Sequence, residues 1–168
     1  GNNDAYFQSK MDKSSMTQWS KTWQWFDDHK DNIVITASNA DSLTRINDGE
    51  IAMAPAWEDH LAGLQKKGAI TKRIKFYIPE FGMPGGGNII MMPQNAKNKA
   101  AAAVFIHWIT SAQAQTGLNT AFGAAPQHPD ADDSNALVDK TQRGYSSEFF
   151  TSDYATEAKK AFVENVLM

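Results

Sequence analysis

The residues best suited to chemistry form the run Trp57-Glu58-Asp59-His60, which follows a short apolar segment. An indole offers a flat face to a cation or a ring, and carboxylates offer negative charge. Trp57 and Glu58 are therefore candidate ligand-binding residues. The acids also suit the first turn of a helix, where negative charge stabilises the helix dipole. From the residues alone both interpretations stay open.

A second candidate is the run Gly85-Gly86-Gly87-Asn88, whose bare backbone can approach a ligand closely. The run lacks the Gly-Lys-Ser/Thr ending of a phosphate-binding loop and the spacing of a dinucleotide-binding fingerprint. We predict that Gly86, Gly87 and Asn88 line a binding surface. A merely permissive turn is the alternative.

The residue patterns give no support for catalysis, a metal or a cofactor. The chain has no cysteine, and its four histidines lack a metal-ligand spacing. No Gly-x-Ser-x-Gly nucleophile elbow occurs. We therefore predict no catalytic residue, no metal ligand and no cofactor. The alternative is a transferase or hydrolase that uses Glu58 or Asp59 with His60.

Composition excludes several classes of protein. The chain has 168 residues, 42% of them hydrophobic and 21% charged, as in soluble globular proteins. Its net charge is -3, with 16 basic residues scattered among 19 acidic ones, so we predict no nucleic-acid partner. No apolar run approaches the roughly 20 residues that cross a bilayer. The chain begins with Gly and shows no signal-peptide pattern.

The elements that must position these residues alternate between strands and helices. Apolar β-branched runs predict strands, and 3.6-residue periodicity predicts helices. The predicted strands are 32–37, 50–56, 72–78 and 88–92, and the predicted helices are 15–30, 41–47, 57–68, 97–110, 112–122, 134–138 and 156–167. This order predicts an α/β fold with a mostly parallel sheet and flanking helices. In such sheets ligands bind beyond the carboxyl ends of strands, near Trp57 and the glycine run.

Two predicted helices carry apolar stripes. Trp19, Trp23 and Phe26 recur at helical spacing, which favours core packing. A weaker alternative is that this aromatic stripe is exposed and docks a partner. The helix predicted at 97–110 has an apolar face as well, formed by Val104, Phe105, Trp108 and Ile109.

Residues 47–130 resemble the solute-binding proteins of bacterial ABC importers, a broad extracellular family with polyamine- and thiamine-binding members. Residues 47–53 are similar to the strand that leads to a Trp at the cleft, and residues 76–82 to the crossover between lobes. Further along, residues 88–96 are similar to a following strand and turn, and residues 100–123 to a helix pair. The segments 55–60 and 83–88 resemble the YnjB-like members most closely.

The resemblance implies a type II periplasmic-binding-protein-like fold, in which two α/β lobes close on a small solute and deliver it to an ABC permease. It implies a non-enzymatic protein located in the periplasm, or outside the cell with a lipid anchor. Residues 1–79 would hold incomplete C-terminal-lobe elements, and residues 80–168 the crossover, a strand-helix-helix segment and a C-terminal helix. The N-terminal lobe would be missing from this chain. Whether such a fragment covers its interlobe surface by self-association is left open by the sequence.

The chain departs from the polyamine-binding members at two positions. Where those proteins place an aromatic residue and an acid, this chain has Gly86 and Asn88. Without the acid, the desolvation of a buried cation is less well offset. The departure therefore disfavours a simple polyamine, whereas Trp57 and Glu58 leave a cationic or ring-bearing solute open.

Overall fold

The computed structural model describes residues 19–147 and 151–168, and the regular secondary structure of these residues is mostly helical. The described α-helices are α1 (Ser20–Asp28), α2 (Asn39–Asn47), α3 (Glu58–Lys66), α4 (Lys99–Ile109), α5 (Ala112–Phe122), α6 (Lys140–Arg143) and α7 (Ser152–Phe162). Lys30–Asn32 forms a 3₁₀ turn, and Val163–Leu167 forms a π-helical turn that continues α7. None of the described helices is both long and apolar enough to cross a bilayer.

The predicted helices are confirmed where local signals set their ends. Ser38 Oγ accepts a hydrogen bond from Asp41 N–H at 3.2 Å and begins α2. Ser111 Oγ caps α5 in the same way through Ala114 N–H at 3.2 Å. Gly123 ends α5 at φ 72°, a left-handed conformation that glycine adopts without strain. The start of the helix predicted at 15–30 lies outside the described residues.

The observed sheet is much smaller than the predicted one. Within the described residues the only strands are β1 (Met83–Pro84) and β2 (Ser146–Ser147), which form a two-stranded sheet. The stretches predicted as strands at 32–37, 50–56, 72–78 and 88–92 are not part of it. Apolar side chains along them are exposed, including Ile35 (61%), Met53 (82%) and Ile89 (81%). Alternation of apolar residues indicates that one face of a segment favours burial, but a strand also needs a hydrogen-bonded neighbouring strand. Among the described residues these four stretches have no such neighbour.

Two boundaries near the C-terminus also differ from prediction. Residues 134–138 were expected to be helical, but they form a turn in which Ala136 N–H donates to Asp133 O at 2.8 Å. Asp132 Oδ1 accepts from Ser134 N–H at 2.8 Å and holds this turn away from helical geometry. The last helix begins at Ser152, four residues before the predicted start at Thr156.

The described residues divide into two compact units. The first contains residues 19–35, 84–86, 146–147 and 151–168, and the second contains residues 36–83 and 87–145. The domain division predicted between residues 79 and 80 stays a prediction.

The first unit is held together by aromatic rings from α1 and α7. Trp19 and Tyr154 are 8% and 3% exposed, and their rings meet edge-on with centroids 5.5 Å apart. Trp23 and Phe26 both contact Phe162, with centroids 6.4 and 5.2 Å away. The aromatic stripe is thus confirmed as core packing, and the docking alternative, which requires an exposed stripe, is not supported.

The second unit has an aliphatic core built by α2, α3 and the chain that follows α3. Leu43, Leu61 and Ile70 are 2%, 1% and 6% exposed. Partly buried side chains pack around them, namely Ala56, Leu64, Ile74, Phe76 and Leu137. The apolar face of α4 does not join this core, because Val104 (70%), Phe105 (53%) and Trp108 (52%) remain exposed.

Candidate functional site

Trp57 lies where an extended segment ends and α3 begins. Its backbone is extended, with φ -83° and ψ 135°, and it occupies the N-cap position of the helix. Its side chain is 45% exposed. Part of the indole is therefore available to solvent, as a stacking surface requires.

Glu58, the first residue of α3, turns toward the segment 137–143. Its Oε1 accepts hydrogen bonds from Leu137 N–H at 2.7 Å and Val138 N–H at 3.0 Å. Its Oε2 pairs with Arg143 Nη1 at 3.2 Å, and the two side chains are 15% and 21% exposed. Arg143 Nη2 also donates to the carbonyl of Val138. The carboxylate thus fastens a distant loop to the start of α3 through charge-assisted hydrogen bonds.

Asp59 and His60 do not join Glu58 at a common point. Both are exposed, and Asp59 Oδ1 accepts from the backbone N–H of His60 at 3.0 Å. The described residues contain no group of three or more His, Asp or Glu side chains arranged to hold a metal ion. The arrangement therefore does not assemble the acid–base constellation that the enzyme alternative requires.

Gly87 and Asn88 lie in the second unit and are exposed. A Cβ atom at Gly87 would lie 3.4 Å from Cδ and Cγ of Gln127, so the glycine backbone runs alongside this side chain. Asn88 opens the exposed apolar stretch 88–92, and its side chain is accessible to solvent. These two residues present backbone and amide groups that can bind a polar solute.

The loop beside Gly87 is positioned by α5. Gln115 Oε1 accepts hydrogen bonds from Gln127 N–H at 2.7 Å and His128 N–H at 2.8 Å. Two hydrogen bonds accepted by one amide oxygen hold the backbone of Gln127 and His128 in place.

Gly86 lies in the first unit and is exposed. The preceding Gly85 N–H donates to Ser147 O at 3.1 Å, which pairs this end of the glycine run with β2. The glycine run is therefore hydrogen-bonded to β2 at Gly85 and exposed at Gly86 and Gly87.

Three polar residues that the sequence did not single out hold the second unit together: Gln115, Asn119 and Arg143. Asn119 is fully buried, and its Nδ2 donates to Ala124 O at 3.0 Å. Its Oδ1 accepts from Asn135 N–H at 3.1 Å and from Asn135 Nδ2 at 3.2 Å. The one sequence signal for Asn119 was its position, since it lies on the inward face of α5 one turn before Gly123, which ends the helix.

An open cavity of about 440 Å³ lies on the second unit, lined by Asp133, Ala136, Leu137, Val138, Asp139, Lys140 and Gln142. It contains none of the predicted ligand residues. Two of its lining residues, Leu137 and Val138, donate their backbone N–H groups to Glu58. The cavity is thus a feature of the loop that Glu58 fastens.

Comparison with known proteins gives one family. The family model described as bacterial extracellular solute-binding protein matches residues 4–144. No curated protein matches the chain. No solved structure matches it either.

Proposed function

The chain belongs to the bacterial extracellular solute-binding protein family, and we propose that it captures a cationic or ring-bearing solute for an ABC permease. Members of this family are solute-binding components of ABC importers and are typically non-enzymatic, so the chain is a transport component and not an enzyme. The family implies a periplasmic-binding-protein fold and an extracellular location. It also implies two partners, a small solute and a permease. The resemblance to YnjB-like members belongs to the proposal.

The observation that carries the proposal is the position of Trp57. It ends an extended segment, begins α3 and keeps 45% of its side chain exposed. The stretch before Trp57 is the one predicted as a strand at 50–56, and in α/β binding proteins ligands lie beyond the carboxyl ends of strands. Within the described residues this stretch is not part of a sheet, so the strand-end position of Trp57 stays a prediction. We propose that the indole face stacks on the solute, while Gly87 and Asn88 supply backbone and amide hydrogen bonds.

Glu58 and Gly86 are the two other predicted ligand residues, and their support differs from that of Trp57. Glu58 already accepts hydrogen bonds from Leu137 and Val138 and pairs with Arg143. We propose that its main contribution is to fix the first turn of α3 and so to orient Trp57. A direct contact between Glu58 and the solute, or between Gly86 and the solute, stays a prediction.

We also propose that a second lobe closes over the solute about a hinge, as the family implies. Apolar side chains of the second unit are exposed, such as Met53 (82%) and Met91 (80%). They support the proposal, because a second lobe would cover this apolar surface. Self-association of the isolated chain is the competing way to cover them, and sedimentation velocity distinguishes the two. The periplasmic or lipid-anchored location is part of the same proposal.

The test is native mass spectrometry of the protein as purified, followed by identification of any small molecule released on unfolding. We expect a cationic or aromatic molecule in the wild type and its loss in Trp57→Ala. Trp108→Ala is the matched control, because Trp108 is 52% exposed and lies outside the proposed site. Retention of the molecule by Trp57→Ala would exclude Trp57 from the site.

Two defined probes sharpen the solute class. Thermal shift with thiamine, a ring-bearing cation, and with spermidine, a flexible polyamine, compares the two kinds of ligand. We expect a larger shift with the ring-bearing cation, because stacking on Trp57 remains while the acid of polyamine binders is replaced by Asn88. A larger shift with spermidine would contradict the proposed solute class.

A further inference from the structure

Five cations lie between positions 66 and 75, and no acid separates them. They are Lys66, Lys67, Lys72, Arg73 and Lys75, all exposed. The whole chain carries a net charge of -3, so the remainder has a net charge of -8 once these five are set apart. Five of the 16 basic residues are therefore grouped in one short stretch, whereas the other 11 are scattered among 19 acidic residues.

The structure holds this stretch in a fixed turn. Gln65 is 9% exposed, and its Nε2 donates to the carbonyls of Thr71 and Ile74, both at 3.0 Å. Ile74 N–H donates to Thr71 O at 3.3 Å and closes a turn with Lys72 and Arg73 at its tip. Ile70 anchors the preceding residues in the aliphatic core. The cations are thus presented by a clamped backbone.

Beyond the turn the side chains alternate between the core and solvent. Ile74 and Phe76 pack against the aliphatic core. Arg73, Lys75 and Tyr77 point the other way and are exposed, with Tyr77 at 66%. Extended backbone places alternate residues on one face, so two cations and a phenol ring share the outer surface.

Lys66 Nζ donates to the carbonyl of Thr120, but intramolecular pairing does not account for the other four cations. None of the five cations forms an ion pair in the described part of the chain. Lys66 and Lys67 stand at the C-terminal end of α3, where positive charge stabilises the helix dipole. This local role does not extend to Lys72, Arg73 and Lys75, which lie outside the helix.

The nearest acid along α2 is engaged elsewhere. Thr71 N–H donates to Asn47 Oδ1 at 3.0 Å, which brings the end of α2 to the turn. The neighbouring Asp48 accepts a hydrogen bond from Asn47 Nδ2 at 3.1 Å and pairs with none of the cations. The charges of the turn therefore remain available to a partner.

We propose that the outer face formed by Lys67, Lys72, Arg73, Lys75 and Tyr77, called here the basic face, binds the anionic headgroups of a membrane surface. Clusters of four or more cations bind anionic lipids, and tyrosine is enriched at the lipid–water interface. Exposed Tyr77 in line with the cations favours lipid over an acidic protein surface. The acidic remainder of the chain is repelled by the same lipids and orients the basic face toward them. This interaction is independent of the solute site.

The test is co-sedimentation of the full chain with vesicles of phosphatidylcholine, alone or with about 30% phosphatidylglycerol. We expect binding only to the anionic vesicles, and release when the salt concentration rises from about 0.05 M to about 0.5 M. The triple variant Lys72→Gln, Arg73→Gln, Lys75→Gln lowers the affinity about 100-fold, since each cation at an anionic surface contributes roughly five-fold. Equal binding to neutral vesicles, or none to anionic ones, overturns the proposal.

A matched control separates the basic face from net charge. Lys97→Gln, Lys99→Gln, Lys159→Gln removes the same number of exposed positive charges elsewhere. We expect it to retain the wild-type affinity to within a few-fold, with circular dichroism confirming that both variants fold. Equal losses in the two triple variants would contradict a localised face.

Tyr77→Ser distinguishes a membrane from an acidic protein. It weakens vesicle binding and leaves binding to poly-L-glutamate unchanged if the phenol ring enters the lipid interface. Binding to poly-L-glutamate without binding to anionic vesicles would assign the basic face to an acidic protein and overturn the membrane proposal.

Discussion

Two regions of the second unit use similar residues with opposite results. Around α2 and α3, the aliphatic side chains of Leu43 and Leu61 are almost fully buried, at 2% and 1% exposed. Along 50–56 and 88–92, the comparable side chains of Met53, Ile89 and Met91 are exposed at 82%, 81% and 80%. The first region is closed by its own helices, whereas the second displays apolar surface.

The difference shows what kind of partner each region needs. A helix satisfies its backbone hydrogen bonds internally, so α2 and α3 need only side-chain contacts to complete a core. An extended segment needs a neighbouring strand for its backbone as well as a layer for its side chains. The open region is therefore where a neighbouring polypeptide, such as a second copy of the chain, would contribute most.

Leu61→Ala tests the closed region and has the largest expected effect. Removing a side chain that is 1% exposed leaves a cavity between Leu43 and Ile70, and costs about 3 kcal/mol of unfolding free energy. Urea denaturation measures it. The matched change Ile89→Ala removes an 81% exposed side chain and is expected within about 0.5 kcal/mol of wild type. An equally large cost for Ile89→Ala would mean that the open region is covered in solution.

Gly123→Ala tests how tightly the closed region is packed. The added Cβ would lie 2.4 Å from Ala62 Cβ, and the residue has φ +72°. Clash and left-handed strain together cost about 2.5 kcal/mol. Gly68→Ala is the control, because Gly68 has φ +71° with nothing within 4 Å of its would-be Cβ, so only about 1 kcal/mol is expected.

The double variant Gly123→Ala, Ala62→Gly separates the two causes further. Deleting the Cβ of Ala62 removes the clash but not the backbone strain, so thermal denaturation should show partial recovery beyond the cost of Ala62→Gly alone. Equal melting temperatures for Gly123→Ala and Gly68→Ala would contradict the close contact between α3 and α5.

The sequence predictions succeeded for most of the helices and failed for the sheet. Helix ends were predictable because Ser38, Ser111 and Gly123 act on their immediate neighbours. The aromatic core of the first unit was predictable from the spacing of Trp19, Trp23 and Phe26. The sheet was not, because alternation in a single segment carries no information about its hydrogen-bonded neighbour.

The candidate site shows the same limit. Trp57 could be picked out by its type and place in the chain. The loop contacts of Glu58 could not, because Leu137, Val138 and Arg143 lie 79, 80 and 85 residues away in sequence. Buried Asn119 was missed for the same reason, since its partner Asn135 lies 16 residues further on. Residue type suggests chemistry, whereas long-range partners decide whether a polar group is structural.

Asn119→Ala tests whether buried polar contacts stabilise the second unit as its aliphatic core does. The change removes the donor to Ala124 O and leaves Asn135 N–H without its acceptor, at a cost of about 2 kcal/mol. Chemical denaturation measures it, with Asn98→Ala as the control. Asn98 is exposed and makes no side-chain cap bond, so a change within about 0.5 kcal/mol is expected. Similar costs for the two variants would place Asn119 outside the structural network.

The smallest expected effect lies where Thr36 and Ala37 lead into α2. Ala37 N–H donates to Asp41 Oδ2 at 2.9 Å, and this bond, helped by Arg45, lowers the pKa of Asp41. A carboxyl whose pKa is lower in the folded state contributes stability above its unfolded pKa and loses it as the pH falls through the folded pKa. NMR titration of the Asp41 carboxyl should therefore give a pKa below its ordinary value. The pKa should stay lowered in Arg45→Gln, because the backbone N–H is the larger cause. An ordinary pKa in the wild type would mean that Ala37 N–H does not donate to Asp41, and that the residues before α2 are not fastened to the helix.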